Sequence, residues 1–244
     1  MNRIALVFVV GLSLALLASI ALNIVLFQQG QDYYLDLNQT RLDPLGLSSF
    51  AHADKPAPSP SIVFFGDSRA ADWPEPPQIT NATIINRGIG AQTSAQAIGR
   101  FQQHVAGLQP DVIVLQIGIN DLKTIPLFPE RKDTIVQNCK TNIGQLVQLS
   151  LDTGARVIVT TIFPLGAIPL ERRPFWSDDV AIAIKDVNAY IASLANDHVV
   201  VFDTARILAN PQGIVESQYS RDFLHLSSAG YVALNQAIGD ILVP

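Results

Sequence analysis

Four short segments carry the residues able to do chemistry. In Gly66-Asp67-Ser68-Arg69 a serine follows a glycine that permits a tight turn. If that turn lies at the mouth of a sheet, near a helix start, backbone N–H groups and the positive helix end would help hold an alkoxide or oxyanion. Read alone, Gly-Asp-Ser is ordinary turn chemistry with serine as a helix cap. Asp222-Phe223-Leu224-His225 places an aspartate three residues before a histidine. The carboxylate can curl back onto Nδ1 of the ring and leave Nε2 free to take a proton from a serine. Gly118-Ile119-Asn120-Asp121 offers a neutral amide, Asn120, able to donate to developing negative charge, although Asn-Asp is also a common turn pair. Asn86-Arg87-Gly88-Ile89-Gly90-Ala91-Gln92-Thr93 supplies glycines past which a backbone N–H can approach a bound group. A dinucleotide fingerprint is poorly matched there, because Thr93 stands at its third glycine.

Other reactive side chains read as non-catalytic. The single cysteine, Cys139, cannot form an internal disulfide or build a Cys/His metal cluster, and reads as a small core residue. His104 follows Gln102 and Gln103 on an expected polar helix face. His52 reads as solvated, and His198 opens a strand beside Asp197.

The elements that must position these segments alternate in type. Runs rich in Val, Ile and Phe, as buried parallel strands require, occur at Ser61–Phe65, Thr83–Asn86, Val112–Ile117, Arg156–Ile162 and Val199–Phe202. Between and after them lie helix-like stretches at about Ser94–Ala106, Arg131–Leu151, Asp178–Ala195 and Ser228–Leu242. This alternation predicts an α/β chain, a three-layer α/β/α domain around a parallel five-stranded sheet. Ligands of such sheets bind beyond the carboxyl ends of the strands, which is where all four segments fall. Two strand-exit stretches, Ala71–Pro77 and Phe163–Trp176, hold Trp73, Phe175 and Trp176, either to pack their loops or to stack on sugars or acyl chains.

The chain has 244 residues, of which 48% are apolar and 15% charged, against the usual share of about 25% charged. Such a balance excludes disorder over most of the length. A net charge of −5, with 21 acidic and 16 basic residues and no basic run, argues against a nucleic-acid partner. The excess apolarity is local. Ile4–Phe27 contains no charged residue and as a helix would reach roughly 36 Å, enough to cross a hydrocarbon core of about 30 Å. Arg3 before it and Asp32 and Asp36 after it orient the N-terminus weakly toward the cytoplasm. A cleaved signal peptide is the competing reading, with Ile4–Leu17 as its apolar region and Ser19 and Ala21 before the cut. Continuation of the run through Phe27 favours a retained anchor. Residues 1–27 are thus expected to be a membrane anchor or signal, 28–60 a connector ending in an extended Pro-rich spacer, and 61–244 the working domain.

Taken together, the four segments, from Gly66-Asp67-Ser68 through Asn86-Arg87-Gly88 and Gly118-Ile119-Asn120-Asp121 to Asp222-Phe223-Leu224-His225, resemble the SGNH/GDSL hydrolase family over about Ser61–Leu242. The resemblance implies Ser68 as nucleophile, His225 as general base and then acid, and Asp222 as the residue orienting His225. It implies an oxyanion hole made of the backbone N–H groups of Ser68 and Gly88 and the side chain of Asn120. It further implies a flavodoxin-like sheet of order 2-1-3-4-5 and ester hydrolysis through an acyl-enzyme, with no metal or cofactor. Arg69 stands where many members have Leu, and is expected to place a cation beside the site and favour anionic substrates. The expectation is therefore an exported, membrane-anchored serine esterase acting on an acetylated glycan, a lysophospholipid or a small ester. Two alternatives keep the same fold: an O-acyltransferase in which a sugar hydroxyl replaces water, and a non-catalytic glycan-binding domain. Intact Ser68, Asp222 and His225 speak against the second.

Overall fold

The computed structural model describes residues 2–242, so the outermost positions of the expected domain limits, Met1, Val243 and Pro244, lie outside the described residues. The chain divides into two compact units, the first ending at Pro44 and the second beginning at Leu45.

The first unit is one helix, α1 (Arg3–Leu42), capped by the Asn2 side chain. It is long and apolar enough to cross a membrane. Its 40 residues span roughly 60 Å at 1.5 Å per residue, so the polar stretch after Phe27 continues the same helix beyond the apolar run. The first half of the connector is therefore helical. The helix stops at Asp43-Pro44, where proline disfavours helical backbone in the residue before it.

The second unit is built on strands β1 (Ser61–Gly66), β2 (Thr83–Gly88), β3 (Val112–Gln116), β4 (Arg156–Thr160) and β5 (Val199–Phe202). All pair in parallel, in the order β2-β1-β3-β4-β5. The chain crosses to opposite sides of β1 for β2 and β3, so their exits diverge and leave a crevice at the carboxyl edge. Register brings Gly66 beside both Gly88 and Gln116, so three exits meet at one level.

Helices α2 (Ser68–Ala71), α3 (Ser94–His104), α4 (Ile119–Leu122), α5 (Lys132–Leu151), α6 (Asp179–Ser193), α7 (Ala205–Leu208) and α8 (Ser228–Leu242) complete the domain. Successive strand residues point to opposite faces. Val63, Phe65, Ile113, Leu115 and Val157 pack with Phe101, Ile143, Leu146 and Val187 from α3, α5 and α6. Ile62, Phe64, Val112, Val114 and Ile158 pack on the other face with Leu234, Ile238 and Leu242 of α8. The expected three layers are present. β4 ends earlier than expected because the side-chain amide of Asn188 in α6 takes both the N–H (2.7 Å) and the carbonyl (3.0 Å) of Ile162. Cys139 is fully buried and its thiol pushed upward, chiefly by desolvation, in keeping with a core residue.

The second half of the connector is no free spacer. From Leu45 it lies along α3 as a strap, with Ala53 N–H donating to Gln103 O and Ala57 N–H to Leu108 O, both at 2.8 Å. Ala53 is buried, and a Cβ on Gly107 would sit 1.5 Å from its carbonyl oxygen. His104, expected on a polar face, is instead fully buried beneath this strap, edge-on to Phe50 with ring centroids 5.3 Å apart.

Candidate active site

The exit of β1 is pinned against β3. Gly66 has φ +153°, and a Cβ there would lie 1.7 Å from Gln116 O, so no larger residue fits without moving the strands apart. Asp67 caps α2 by accepting the Arg69 N–H at 2.9 Å, which puts Ser68 at the first helical position. From 157 residues further on, His225 reaches it: Ser68 Oγ and His225 Nε2 are 3.0 Å apart. His225 Nδ1 lies 2.9 Å from Asp222 Oδ2 and 3.1 Å from Oδ1. Desolvation works against the Asp222 carboxylate, but the N–H groups of Leu224 and His225 and the imidazole more than offset it, holding Asp222 below the ordinary carboxylate range. An ionised Asp222 accepts the Nδ1 proton, which assigns the tautomer with a bare Nε2 facing the Ser68 hydroxyl.

The Asp–His turn is stiff for local reasons. Asp222 Oδ1 accepts from Leu224 N (2.7 Å) and His225 N (2.8 Å), and Arg221 N donates to His225 O at 3.0 Å. Arg69 holds the turn from below. Its guanidinium is fully buried, donating from Nε to Leu224 O (2.8 Å) and from Nη1 to Phe163 O (3.1 Å), and lying over the Phe163 ring. That corrects the expectation for this residue, whose charge faces carbonyls inside the domain rather than a substrate. Trp73 is likewise internal: its Nε1 donates to Asn235 Oδ1 at 2.7 Å, and its ring packs on Phe64, Phe163 and Tyr231. Phe175 is exposed, and Trp176 stands edge-on to Phe223 with centroids 5.2 Å apart. Trp176 also lines a largely apolar cavity of about 290 Å³ with Leu165, Ile168, Ile184 and Ile214.

Asn120 is almost fully buried in α4 and donates one amide hydrogen to Gln92 O at 2.9 Å, leaving the other for a second acceptor. The expectation for Gly88 needs correction. Its N–H donates to Asn86 Oδ1 at 2.8 Å, and its Cα abuts α2 so closely that a Cβ would lie 2.1 Å from Ala71 N. Gly88 is a packing position with an engaged N–H. The part of this loop that approaches the serine is the next turn: a Cβ on Gly90 would come within 4.0 Å of Ser68 Cβ, and Ala91 is left-handed at φ +62°. The sequence holds a weak pointer to that turn in Gly90, but none to the strained Ala91.

Beneath the serine, Asp67 is fully buried and its carboxyl is pushed up to about 6, chiefly by desolvation, with Arg69 pulling the other way. Because the folded value lies above the unfolded one of about 4, the native state binds the proton more tightly. Stability from this group is therefore full below about pH 4 and is lost as pH rises through 6. Asp67→Asn keeps the capping oxygen and removes the charge. Its stability advantage over the wild type is expected to grow by about 2–3 kcal/mol between pH 4 and pH 8, read from denaturant melts at both values; a constant difference would refute it.

The sequence pattern of the GDSL-like Lipase/Acylhydrolase family matches residues 57–233. Comparison with curated protein sequences gives no match. Among solved structures, the chain is similar to a GDSL-like lipase from Bacteroides thetaiotaomicron (TM-score 0.63, 23% identity, 83% of this chain and 98% of that one). It is similar to an acetyl xylan esterase (TM-score 0.58, 20% identity, 75% and 100%). It also resembles a catalytic mutant of an acetylxylan esterase from Geobacillus stearothermophilus (TM-score 0.54, 18% identity, 78% and 97%). At these identities the structural likeness speaks for the fold. Among the described residues, no group of three or more His, Cys, Asp or Glu is placed to hold a metal ion.

Proposed function

The chain belongs to the GDSL-like lipase/acylhydrolase family and is an esterase of that kind, and on that premise we propose that Ser68, His225 and Asp222 carry its reaction. The observation behind this reading is the unbroken relay from Ser68 Oγ through His225 to Asp222, at 3.0 and 2.9 Å. Ser68 Oγ attacks the ester carbonyl as its proton passes to Nε2. The imidazolium so formed is stabilised by Asp222 and then protonates the leaving alcohol. Water, activated by the same nitrogen, releases the acid from the acyl-enzyme. The Ser68 N–H, the turn at Gly90–Ala91 and the free amide hydrogen of Asn120 hold the oxyanion of each tetrahedral intermediate.

The substrate in this reading is a carboxylic ester. The neighbouring acetylxylan esterases support an acetylated glycan, while a lysophospholipid or a small diffusible ester remains the comparison. His225 and Asp222 keep 26% and 44% of their side-chain surface in solvent, so a bulky alcohol can reach them. The apolar helix α1 supports retention in a membrane, and Arg3 before it with Asp32 and Asp36 after it favour a second unit outside the cytoplasm. Fluorophosphonate labelling of the full-length protein in detergent tests the core of the proposal. A label on Ser68, followed by release of acetate from acetylated xylan, supports it; no label on a folded protein refutes it. Acetyl transfer to a glycan hydroxyl without hydrolysis would instead identify a transferase.

Asn120→Ala is expected to lower kcat by ~10²–10³, the usual cost of one oxyanion donor, with KM little changed. If KM alone rises in steady-state assays, Asn120 binds substrate and does not stabilise the transition state.

A further inference from the structure

The orientation of Asn120 is set by a chain of contacts that begins outside the catalytic loops. Gln92 O takes one of the two Asn120 amide hydrogens, and so decides where the other points. The Gln92 side chain is itself held twice: Oε1 accepts from Arg100 Nε, and Nε2 donates to Leu45 O at 2.7 Å. Arg100, fully buried in α3, uses its remaining nitrogens on Gly66 O and Arg87 O, both at 2.8 Å, and lies over Phe65. One guanidinium thus joins the exits of β1 and β2 to Gln92.

Leu45 is the first residue of the second unit and opens the strap. Gly46, at φ +69°, turns so tightly over the loop that a Cβ would come within 2.9 Å of Gln92 Nε2 and 3.0 Å of Ile89 Cδ1. Beyond it, Leu47 O accepts from Gln103 Nε2 at 3.0 Å and from the His104 ring at 3.2 Å. Phe50 lies between His104 and the Arg87 guanidinium. Residues of the expected linker therefore bear on the loop that holds the candidate oxyanion donors.

We propose that the strap Leu45–Ala53 is a positioning element of the oxyanion hole, acting through Leu45 O and Gln92 on Asn120. The inference rests on the Ser68 esterase reading. Displacing a donor by about 1 Å is enough to cost ~10²-fold in rate.

The test uses the full chain in detergent with p-nitrophenyl acetate. Gln92→Glu keeps an acceptor for Arg100 and loses the donor to Leu45. Gly46→Val forces a β-branched residue into left-handed backbone and against Gln92. Each is made alone and in the Asn120→Ala background. Expected alone is a fall in kcat of at least about tenfold with KM nearly constant. In the Asn120→Ala background each should cost clearly less than it does alone, because part of its effect acts through the missing amide. A merely structural defect would lower activity additively in both backgrounds, and that result, or wild-type kcat in the single variants, overturns the proposal. Should Gly46→Val fail to fold by circular dichroism, Gln92→Glu decides alone. Failure of the esterase reading is separately visible, as turnover indifferent to Ser68→Ala, and would remove this inference with it.

Discussion

Ser68→Ala is expected to reduce kcat by about 10⁵–10⁶, leaving only what binding and the oxyanion donors contribute without a nucleophile. The size follows from the position of Oγ, 3.0 Å from a ring nitrogen whose partner carboxylate holds it as an acceptor. The variant should remain folded. α2 is capped by Asp67, not by Ser68, and the lost hydroxyl takes with it one hydrogen bond in a half-buried setting, worth roughly 1 kcal/mol. Thermal melts of the two proteins should therefore nearly coincide while turnover and fluorophosphonate labelling disappear. Turnover near the wild-type rate in a coincident melt would place the nucleophile elsewhere.

Asp222→Asn should cost ~10⁴ in kcat, and it separates chemistry from architecture. An asparagine oxygen can still accept the N–H groups of Leu224 and His225, so the turn keeps its shape. Its amide nitrogen, however, then faces His225 Nδ1 as a donor. The ring is driven to the other tautomer, with a proton on Nε2, and can no longer receive one from Ser68. Because Asp222 is held below the ordinary carboxylate range, it stays ionised well into acid, so the acidic limb of the wild-type profile should not report its protonation. Asp222→Ala loses the turn contacts as well, and should melt lower than Asp222→Asn. Equal kcat for Asp222→Asn and wild type in rate–pH measurements would remove Asp222 from the mechanism.

Much of the fold is legible in the sequence. Strand–helix alternation predicts the layers, since runs such as Ile62–Phe65 and Val112–Leu115 are apolar at every position and must be buried on both faces. Ser68, Asn120, Asp222 and His225 are visible as candidates because all four fall at strand exits, while the role of each is what the family resemblance implies. The sequence misleads where a residue's role depends on what another segment brings to it. Arg69 reads as a cation beside the site, yet carbonyls of Leu224 and Phe163, far along the chain, make it an internal clamp. Gly88 and Gly90 are equivalent as letters. Only the approach of α2, which crowds one and leaves the other open toward Ser68, tells them apart.

The connector shows the same division. The prolines of its second half do forbid a helix there, and the apolar run of α1 does specify a long one, because both are local properties of backbone and side chain. That Leu45–Ala57 lies against α3 and the turn after it is a matter of partners: N–H groups of the strap meet the carbonyls of Gln103 and Leu108, and Leu45 O meets Gln92. Sequence by itself determined which residue types are available and which elements they form, since hydrophobic period and turn chemistry are short-range. Tertiary structure decided which backbone donors are engaged, which charges are buried and which loops share a site. Those depend on contacts between residues up to 162 positions apart, whose pairing no local pattern encodes.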